Sequence, residues 1–550
     1  MRSESRRTLG QWYTPEPVVD LALALAGAGR RLLDPSCGDG AFLTRAAALG
    51  AGDERVGVEV DGDAAAAARA RGGAAIVHGD LFEAGLPARL GGFDLVVGNP
   101  PWVRADRLGA AQRTRIAAAI AADWPGLDGG DGGALVARAD LAAACLLRGL
   151  ALTRPGGRVA MVLSTALLDA DYAAPLWRAV TAAARPLALV AAPAERWFAD
   201  AAVNAMIAVL ERRAGAAAVR DPDVVVARLT VATAEAARRA PGLDGLAAVA
   251  EVRRAAADDP ARWAAALRAP ATWFGLAGAA DGALVPLAEL ADVRRGTTSG
   301  ANEVFYLRRS QAIELGLEPE VVAPLVRSPY NGSPAPIAID PGATPLVALA
   351  IPADAALERL PRARAWLDAH ADAAARPSLR GREPWWALPA RPARLFLAKA
   401  YGPRFIQRLA PVPVIGDQRV YALAPRPGVE LEVLAAALNS TWTALALESL
   451  GRASMGHGAL EWTVADAARL PVLDVRRATP PQREALVAAL RALAGRNVEH
   501  VLVERRRADR DALDRAAAAL APGLDRWLGE AWDALLGSVR LRDRWLLPAL

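Results

Sequence analysis

The sequence is poor in the residues that build disulfide frameworks and zinc sites. Its 550 residues include two cysteines and four histidines. These residues are Cys37, Cys145, His78, His370, His457 and His500. Two cysteines cannot form a disulfide framework, and the scattered histidines lack the spacing of zinc ligands. We therefore expect a protein of a reducing cytoplasm that binds no metal.

A secretory signal and long apolar runs are also missing. Residues Met1–Arg7 are polar and charged, and no apolar stretch follows them. The longest uncharged run, Val433–Leu447, contains Asn439 and has about 15 residues, fewer than the roughly 20 needed to span a bilayer. We therefore expect a soluble protein without a membrane helix.

Lysine and aromatic residues are rare, and arginine carries almost all of the basic charge. Lys399 is the only lysine, so a nuclease centre built from two acidic residues and a lysine would have to use it. The net charge of +5 is too small to indicate a nucleic-acid partner by itself. The segment Arg359–Arg408, however, has eleven basic and three acidic residues, and it could face phosphates.

Length and apolar content predict several packed domains. A chain of 550 residues with 53% hydrophobic residues has enough apolar surface for about three of them. Residues 1–212 alternate strand-length apolar runs with longer helical segments, which predicts an α/β fold with a doubly wound sheet. Seven strands are predicted, at Arg31–Asp34, Arg55–Val60, Ala75–His78, Phe93–Gly98, Gly157–Ser164, Pro186–Ala191 and Asn204–Leu210.

Acidic residues follow three successive strands of this predicted sheet, at the edge where ligands bind. Asp34 is followed by Gly38 and Gly40, in a loop without the glycine pattern or the Lys-Ser/Thr pair of phosphate-binding loops. Glu59 could accept bonds from both hydroxyls of a ribose, and Asp80 could accept one from the amine of an adenine. Each acid alone is more often a loop residue or a helix cap, but the series favours an adenosine-bearing ligand.

The fourth predicted strand leads into Asn99-Pro100-Pro101-Trp102. Pro101 fixes its own φ and favours an extended Pro100. The side-chain oxygen of Asn99 and the carbonyl oxygen of Pro100 can then accept two bonds from one NH2 group, while Trp102 stacks on the ring that carries it. The structural alternative is a turn stiffened by proline.

The Asn-Pro-Pro-Trp motif, together with Asp34-Pro-x-Cys-Gly-x-Gly-x-Phe-Leu, resembles a known family. This family is the gamma class of S-adenosylmethionine-dependent N6-adenine DNA methyltransferases, found in restriction–modification systems. The segment Gly10–Val19 is similar to the opening motif of that class. A plain helix start would also show Thr14 followed by Pro15, but the order of the motifs favours the family.

The resemblance implies a Rossmann-like methyltransferase domain with seven strands and S-adenosylmethionine as cofactor. It assigns Thr14, Asp34 and Gly38 to the methionine part of that cofactor. It assigns Glu59 to the ribose and Asp80 to the cofactor adenine.

The resemblance also implies how the target base is held. An adenine inside a duplex must flip out before its N6 can be methylated. Phe198 and Trp102 would sandwich that base, and Asn99 and Pro100 would accept both N6–H bonds, with no covalent enzyme intermediate. The alternative for Phe198 is a core aromatic beside the seventh strand, and Cys145 stands where relatives often have an aromatic against the cofactor.

The predicted organisation has four parts. Residues 1–212 form the methyltransferase domain, and the Ala- and Arg-rich residues 213–280 form a helical connector. Residues 281–475 are expected to be a mixed α+β target-recognition domain. Residues 476–550 have the period of helices and are expected to be a C-terminal helical appendage.

Several segments of residues 281–475 resemble parts of the family's target-recognition domain. Val293–Phe305 resembles its start, whereas Leu438–Ser440, Gly451–Gly458 and Leu470–Val472 resemble its later helix and closing strand. The candidates for DNA contact are Arg294, Arg295, Trp385, Trp386 and Lys399. Arginines there would contact phosphates and guanine edges. Alternatively, the tryptophans are core residues and the arginines a solvated face.

The predicted function is the transfer of a methyl group to N6 of a flipped adenine in double-stranded DNA, as the modification arm of a restriction–modification system. Asn-Pro-Pro-aromatic also occurs in enzymes that methylate a protein glutamine amide or RNA, and a non-catalytic DNA-binding subunit is a third possibility. The long region after Leu287 favours DNA, and Asn99 with the strand-end acids favours catalysis. We expect a monomer, no N-terminal nuclease, and a separately encoded restriction endonuclease as a candidate partner.

Overall fold

The computed structural model describes eight stretches of the chain. They are residues 13–125, 139–170, 172–198, 204–215, 223–257, 259–328, 335–452 and 459–543. Residues 10–12 of the opening motif and residues 453–458 of the Gly451–Gly458 segment lie outside them. The chain divides into two compact units, Met1–Arg268 (unit 1) and Ala269–Leu550 (unit 2). None of the helices in these stretches has the length and apolar character that a bilayer crossing requires.

Unit 1 is built on a sheet to which nine strands of the described residues contribute. They are β1 Arg31–Asp34, β2 Glu54–Glu59, β3 Ala75–His78, β4 Phe93–Gly98, β5 Thr153–Ser164, β6 Ala184–Ala191, β7 Ala205–Arg212, β8 Val224–Leu229 and β9 Ala250–Ala255. Their spatial order is β3-β2-β1-β4-β5-β7-β6-β8-β9. β7 is antiparallel to both of its neighbours and β9 is antiparallel to β8, whereas the other pairs are parallel.

Helices cover both faces of this sheet. Successive residues of a strand point to opposite faces, so each strand contributes to two cores. Leu32 and Leu33, for example, belong to two different core clusters. The helices are α1 Glu16–Ala26, α2 Ala41–Ala48, α3 Gly62–Arg71, α4 Leu86–Leu90, α5 Ala110–Asp123, α6 Leu141–Leu152, α7 Ala173–Ala183, α8 Thr233–Arg239 and α9 Pro260–Arg268. Short 3₁₀ turns lie at Ala105–Arg107, Thr165–Leu168 and Leu243–Ala248.

The predicted strands correspond to β1 through β7, and the sheet has two strands more than the seven predicted. The expectation of a helical connector at residues 213–280 is therefore wrong. The run Val224-Val225-Val226 is rich in β-branched residues, and it pairs in parallel with β6. The Ala- and Arg-rich composition of the whole segment hides this short run. Residues 213–268 belong to unit 1, and they extend its sheet beyond β6.

Unit 2 combines helices with a mixed sheet. An α+β fold was expected for residues 281–475, which lie within this unit. The strands are β10 Leu284–Pro286, β11 Ala291–Arg295, β12 Tyr306–Arg308, β13 Val322–Val326, β14 Leu346–Leu349, β15 Ala393–Ala398, β16 Ala400–Tyr401, β17 Gln407–Gly416, β18 Val420–Pro425, β19 Leu460–Glu461 and β20 Pro471–Leu473. The main sheet has the order β11-β18-β15-β17-β13-β14-β12, while β10 pairs with β20 and β16 with β19.

The described residues of unit 2 also form twelve helices. They are α10 Ala271–Ala279, α11 Leu287–Leu290, α12 Asn302–Phe305, α13 Arg309–Glu314, α14 Pro361–Ala369, α15 Leu431–Leu438, α16 Thr441–Leu450, α17 Val464–Ala468, α18 Pro480–Ala494, α19 Val501–Glu504, α20 Ala508–Ala518 and α21 Leu528–Asp543. Short 3₁₀ turns lie at Pro319–Val321, Leu357–Arg359, Ala371–Ala375, Pro377–Leu379, Val475–Arg477 and Asp525–Trp527.

The C-terminal helices α18 to α21 are part of the core of unit 2 and not an appendage. Leu490, Leu513 and Leu535 are completely or almost completely buried in the same cluster as Leu434 and Leu445. The helical period of residues 476–550 was therefore the period of a buried face. The expectation of an appendage is corrected, since these helices close the hydrophobic core.

Candidate functional site

The site lies at the carboxyl edge of the sheet in unit 1. Strands β3, β2, β1 and β4 are neighbours in this order and run parallel, so the loops that follow them leave the sheet at one edge. Asp34 ends β1, Glu59 ends β2, Asp80 follows β3 and Asn99 follows β4. The topology therefore brings the three predicted acids and the Asn-Pro-Pro-Trp motif to the same edge.

The loop after β1 is tied to the end of β2 through Glu59. The backbone N–H of Gly38 donates to Glu59 Oε2 at 2.8 Å, and that of Asp61 donates to Glu59 Oε1 at 2.8 Å. Glu59 is 7% exposed. Each carboxylate oxygen has a second lone pair, so both can still accept a bond from a ligand hydroxyl. A Cβ built on Gly38 would meet no atom within 4 Å, so the space beside this glycine is open.

Asp34 is a buried carboxyl group in the same loop. It is 1% exposed, and its Oδ1 accepts a bond of 3.1 Å from the backbone N–H of Ser36. Burial raises the pKa of Asp34 to about 8, against the opposing effect of the Ser36 bond, and the charges of Glu59 and Asp39 add to the rise. A positive charge placed beside this carboxyl would favour its ionised form. The site is therefore suited to a cationic ligand.

The end of β4 passes directly beside Asp34. A Cβ on Gly98 would lie 2.6 Å from Asp34 Oδ1, which is closer than any non-bonded contact allows. Glycine is required here because of this close approach. Asn99, the next residue, thereby starts its loop next to the buried carboxyl, and its Oδ1 has almost no exposed surface.

The loop after β3 is held by Arg148, which the sequence reasoning missed. Arg148 is 2% exposed, and it donates from Nε to the carbonyl of Leu81 at 3.1 Å and from Nη2 to that of Glu83 at 3.0 Å. Its Nη1 contacts both carboxylate oxygens of Asp123, at 2.6 and 2.7 Å. The detectable signal was one arginine inside the apolar helix α6. Arg148 fixes the loop that carries Asp80.

Cys145 and Thr14 are two further predicted residues of unit 1. Cys145 is buried in the core cluster that also contains Leu81 and Phe82, the residues after Asp80. Burial raises the pKa of the Cys145 thiol, and the charge of Asp80 acts in the same direction. Thr14 is half-buried just before α1. An ion pair between Arg45 and Asp20, with Nε–Oδ1 at 2.5 Å, joins α1 to the helix that follows the Gly38 loop.

Trp102 and Phe198 are in contact with each other. Their ring centroids are 5.0 Å apart and the ring planes meet at 77°, so the contact is edge to face. A base stacked between two parallel rings needs them about 7 Å apart, because each contact takes about 3.5 Å. Phe198 is 4% exposed and belongs to the core cluster beside β7. The structure brings the two predicted aromatics together, but in a closed arrangement without space for a base.

Among the candidates for DNA contact in unit 2, both arginines and both tryptophans have internal partners. Arg294 pairs with Asp292 on the same strand, and Arg295 donates to Gln418 at 3.3 Å. Trp385 and Trp386 pack against a core cluster, which agrees with the structural alternative for them. Lys399 is half-buried between β15 and β16. DNA contact by these residues stays a prediction. In the described parts of both units, no group of three or more His, Cys, Asp or Glu side chains could hold a metal ion.

Known methyltransferases match parts of this chain. Residues 72–184, which include Asp80, Asn99 and Arg148, match the family described as Eco57I restriction-modification methylase. The type II methyltransferase M.XamI of Xanthomonas campestris pv. amaranthicola is 29% identical over 307 residues, which cover 54% of this chain and 53% of that protein. The chain therefore spans about half the length of this curated relative, and it is similar to methyltransferases of restriction–modification systems.

The solved structure of another protein shows a shared fold. The type IIL restriction-modification enzyme MmeI, solved in complex with DNA, aligns with a TM-score of 0.53 at 13% identity, over 99% of this chain and 75% of that one. The type IIG restriction endonuclease BpuSI aligns with a TM-score of 0.46 at 13% identity, over 97% of this chain and 66% of that one. The match to MmeI shows a common fold.

Proposed function

We propose that this chain is a DNA methyltransferase of a restriction–modification system, of the gamma class, that methylates N6 of a flipped adenine in double-stranded DNA. The observation that carries the proposal is the position of Asn99–Trp102. This motif starts directly beside the buried carboxyl of Asp34, at the edge that also presents Glu59 and Asp80. We infer that an acceptor pair for an amine lies beside a buried carboxyl group that is suited to a cationic adenosine derivative.

The residues present fit S-adenosylmethionine as the cofactor. Asp34 would face the positive charges of its methionine part, and the open space beside Gly38 would admit that part. Thr14 would contact the same part. Glu59 would accept the ribose hydroxyls and Asp80 the adenine amine. When bound, this cofactor supplies a methyl group on a sulfonium centre.

The loop after β4 would prepare the base. Asn99 Oδ1 and the Pro100 carbonyl accept the two N6–H bonds, which draws the nitrogen lone pair out of the ring and towards the methyl donor. Trp102 stacks on the base, and Pro101 keeps the loop in the shape that aims both acceptors at one nitrogen. Positioning of this kind supplies much of the rate of a direct transfer.

A planar NH2 group also occurs in a glutamine amide and in the bases of RNA, so the loop alone does not define the substrate. Unit 2 supports DNA, because it adds a second fold to the catalytic unit and contains the arginine-rich segment 359–408. MmeI, which shares the fold, was solved in complex with DNA. A separately encoded restriction endonuclease would be the partner in the cell, and we expect the chain to act as a cytoplasmic monomer.

The decisive experiment maps the methylated atom. The chain is expressed in a bacterial strain that lacks its own N6-adenine methylation, and genomic N6-methyladenine is mapped by sequencing. The purified chain is also incubated with radiolabelled S-adenosylmethionine and equal amounts of DNA, RNA and total protein. We expect N6-methyladenine at one recurring DNA sequence and no label elsewhere. Label on protein, on RNA or on cytosine would overturn the proposal.

A further inference from the structure

The residues just before Phe198 are hydrogen-bonded to α8, the helix that lies between β8 and β9 in the chain. The indole N–H of Trp197 donates to Thr233 Oγ1 at 2.8 Å, and this hydroxyl in turn donates to Glu195 Oε2 at 2.7 Å. The backbone N–H of Thr233 donates to the same carboxylate oxygen at 2.7 Å. The indole N–H, the hydroxyl and Glu195 Oε2 therefore each have a suitable partner, and the hydroxyl both accepts and donates.

Thr233 is a suitable fixed point for this triad. It is 0% exposed and is the first residue of α8, where helix N–H groups have no partner within the helix. The residue before it, Ala232, cannot cap the helix with its side chain. Glu195 takes that role from a different part of the chain. Helix α8 packs against α1, so the triad connects the Phe198 loop to a rigid part of unit 1.

The triad acts on Phe198 through its neighbour Trp197. Trp197 is 6% exposed, and moving its ring would leave a buried N–H without an acceptor, which is unfavourable. Phe198 follows directly in the chain and touches Trp102. The hydrogen bond of Trp197 therefore restrains the chain next to Phe198. For a base to enter, the Phe198 ring has to rotate away from Trp102.

From these contacts we infer that Glu195, Trp197 and Thr233 are positioning residues, which hold Phe198 as one wall of the target-base pocket. The inference rests on the proposed function, in which Phe198 stacks on the flipped base. It gives the β8–β9 segment a role in base recognition, because that segment supplies the threonine. The residues act through Phe198 and do not touch the reacting atoms.

The test uses the full chain with Thr233→Val, which removes the hydroxyl at nearly constant volume. Thr233→Ser restores the hydroxyl. The matched control is Thr230→Val in the same segment, since the Thr230 hydroxyl donates to the carbonyl of Val249 at 3.1 Å instead of to the loop. Trp197→Phe is the second variant, should Thr233→Val fail to fold, because it removes the N–H donor and keeps a smaller aromatic ring.

Three quantities are measured: kcat, the Kd of S-adenosylhomocysteine, and the emission of 2-aminopurine placed at the mapped target adenine. Because one hydrogen bond in a positioning network is lost, we expect kcat to fall about tenfold in Thr233→Val and Trp197→Phe. The Kd of S-adenosylhomocysteine should stay within about twofold, since the hydrogen bonds of the triad involve neither Asp34 nor Glu59. Emission should rise, because a base that stacks less well on Phe198 is less quenched. Thr233→Ser and Thr230→Val should behave as wild type.

Unchanged kcat and emission in both Thr233→Val and Trp197→Phe would overturn the inference. An equal loss in Thr230→Val would also overturn it, since the effect would then come from general loosening of the segment. A wild-type chain that methylates no DNA would overturn the proposed function itself. An active wild type with an equally active Thr233→Val is a different outcome, and it would count against the positioning role alone.

Discussion

Asp34 places a carboxyl group where water cannot solvate its charge. Its pKa is raised from the ordinary value of 3.8 to about 8, mainly by burial. The folded chain therefore binds this proton more tightly than the unfolded chain does. Asp34 contributes stability that is fully present below pH 3.8 and is lost as the pH rises towards 8.

The corresponding prediction concerns Asp34→Asn without ligand. Asparagine keeps an oxygen for the Ser36 N–H bond and carries no charge, so the stability of the variant relative to wild type should increase as the pH rises from 5 to about 8. Urea unfolding at pH 5, 6.5 and 8 measures this difference. Asp53→Asn, at an exposed position of the same unit, is the control. A difference that does not change with pH would contradict the prediction.

A second prediction concerns the side chain of Asn99. Asn99→Ala removes an acceptor that is used mainly in the transition state, so kcat should fall by about a hundredfold or more while DNA binding is kept. Electrophoretic mobility shift on the mapped site and single-turnover methylation measure the two properties separately. An equal loss of binding and methylation would argue against this role for Asn99.

The strands that build the site could be predicted because each one is a short apolar run with a turn on either side. The predicted β1, β3 and β4 have the observed ends, and the acids at their tips follow from the parallel order. The strand β8 was missed because three valines were surrounded by Ala- and Arg-rich helical composition. The contact between Trp102 and Phe198 could not be predicted either, because packing between distant segments sets their distance.

Arg148 shows how one helix controls a loop of the site. Its guanidinium joins α6 to the end of α5 at Asp123 and to the carbonyls of Leu81 and Glu83. Sequence reasoning can see a lone arginine in an apolar helix, but it cannot identify the loop that accepts its bonds. The ion pair is almost completely buried, with side-chain exposures of 2% and 9%.

A third prediction follows from this burial. Arg148→Met leaves the Asp123 carboxylate buried without its cation, so the free energy of unfolding should fall by about 3 to 5 kcal/mol. The double variant Arg148→Met/Asp123→Leu should lose less, since neither charge remains. Urea unfolding of the two variants and wild type forms the measurement, with Arg115→Met, at a half-exposed position, as control. Equal losses in the single and double variants would exclude the uncompensated charge as the cause.

The two units have separate hydrophobic cores. Among the described residues, the clusters of unit 1 run from Val18 to Leu267, and those of unit 2 run from Ala269 to Val539. Each cluster lies within one unit, and the strands of each sheet do as well. The last helix of unit 1 is tied back to its own unit, because Arg268 pairs with Asp169 at 2.5 Å. Each unit therefore has its own hydrophobic clusters, and hydrophobic burial is the main favourable term in folding.

The final prediction concerns Met1–Arg268 produced alone. This fragment should fold and bind S-adenosylhomocysteine with a Kd within about threefold of that of the full chain. The reason is that it retains all proposed cofactor residues and both cores of unit 1. Calorimetry gives the Kd, and cooperative urea unfolding shows that the fragment is folded.

The same fragment should lose site-specific DNA binding, since the proposed recognition residues belong to unit 2. The Asp34→Asn form of the fragment is the control for specific cofactor binding. A fragment that unfolds without cooperativity would show that unit 1 depends on unit 2 for its stability, and a folded fragment that keeps full site-specific DNA binding would remove the recognition role from unit 2.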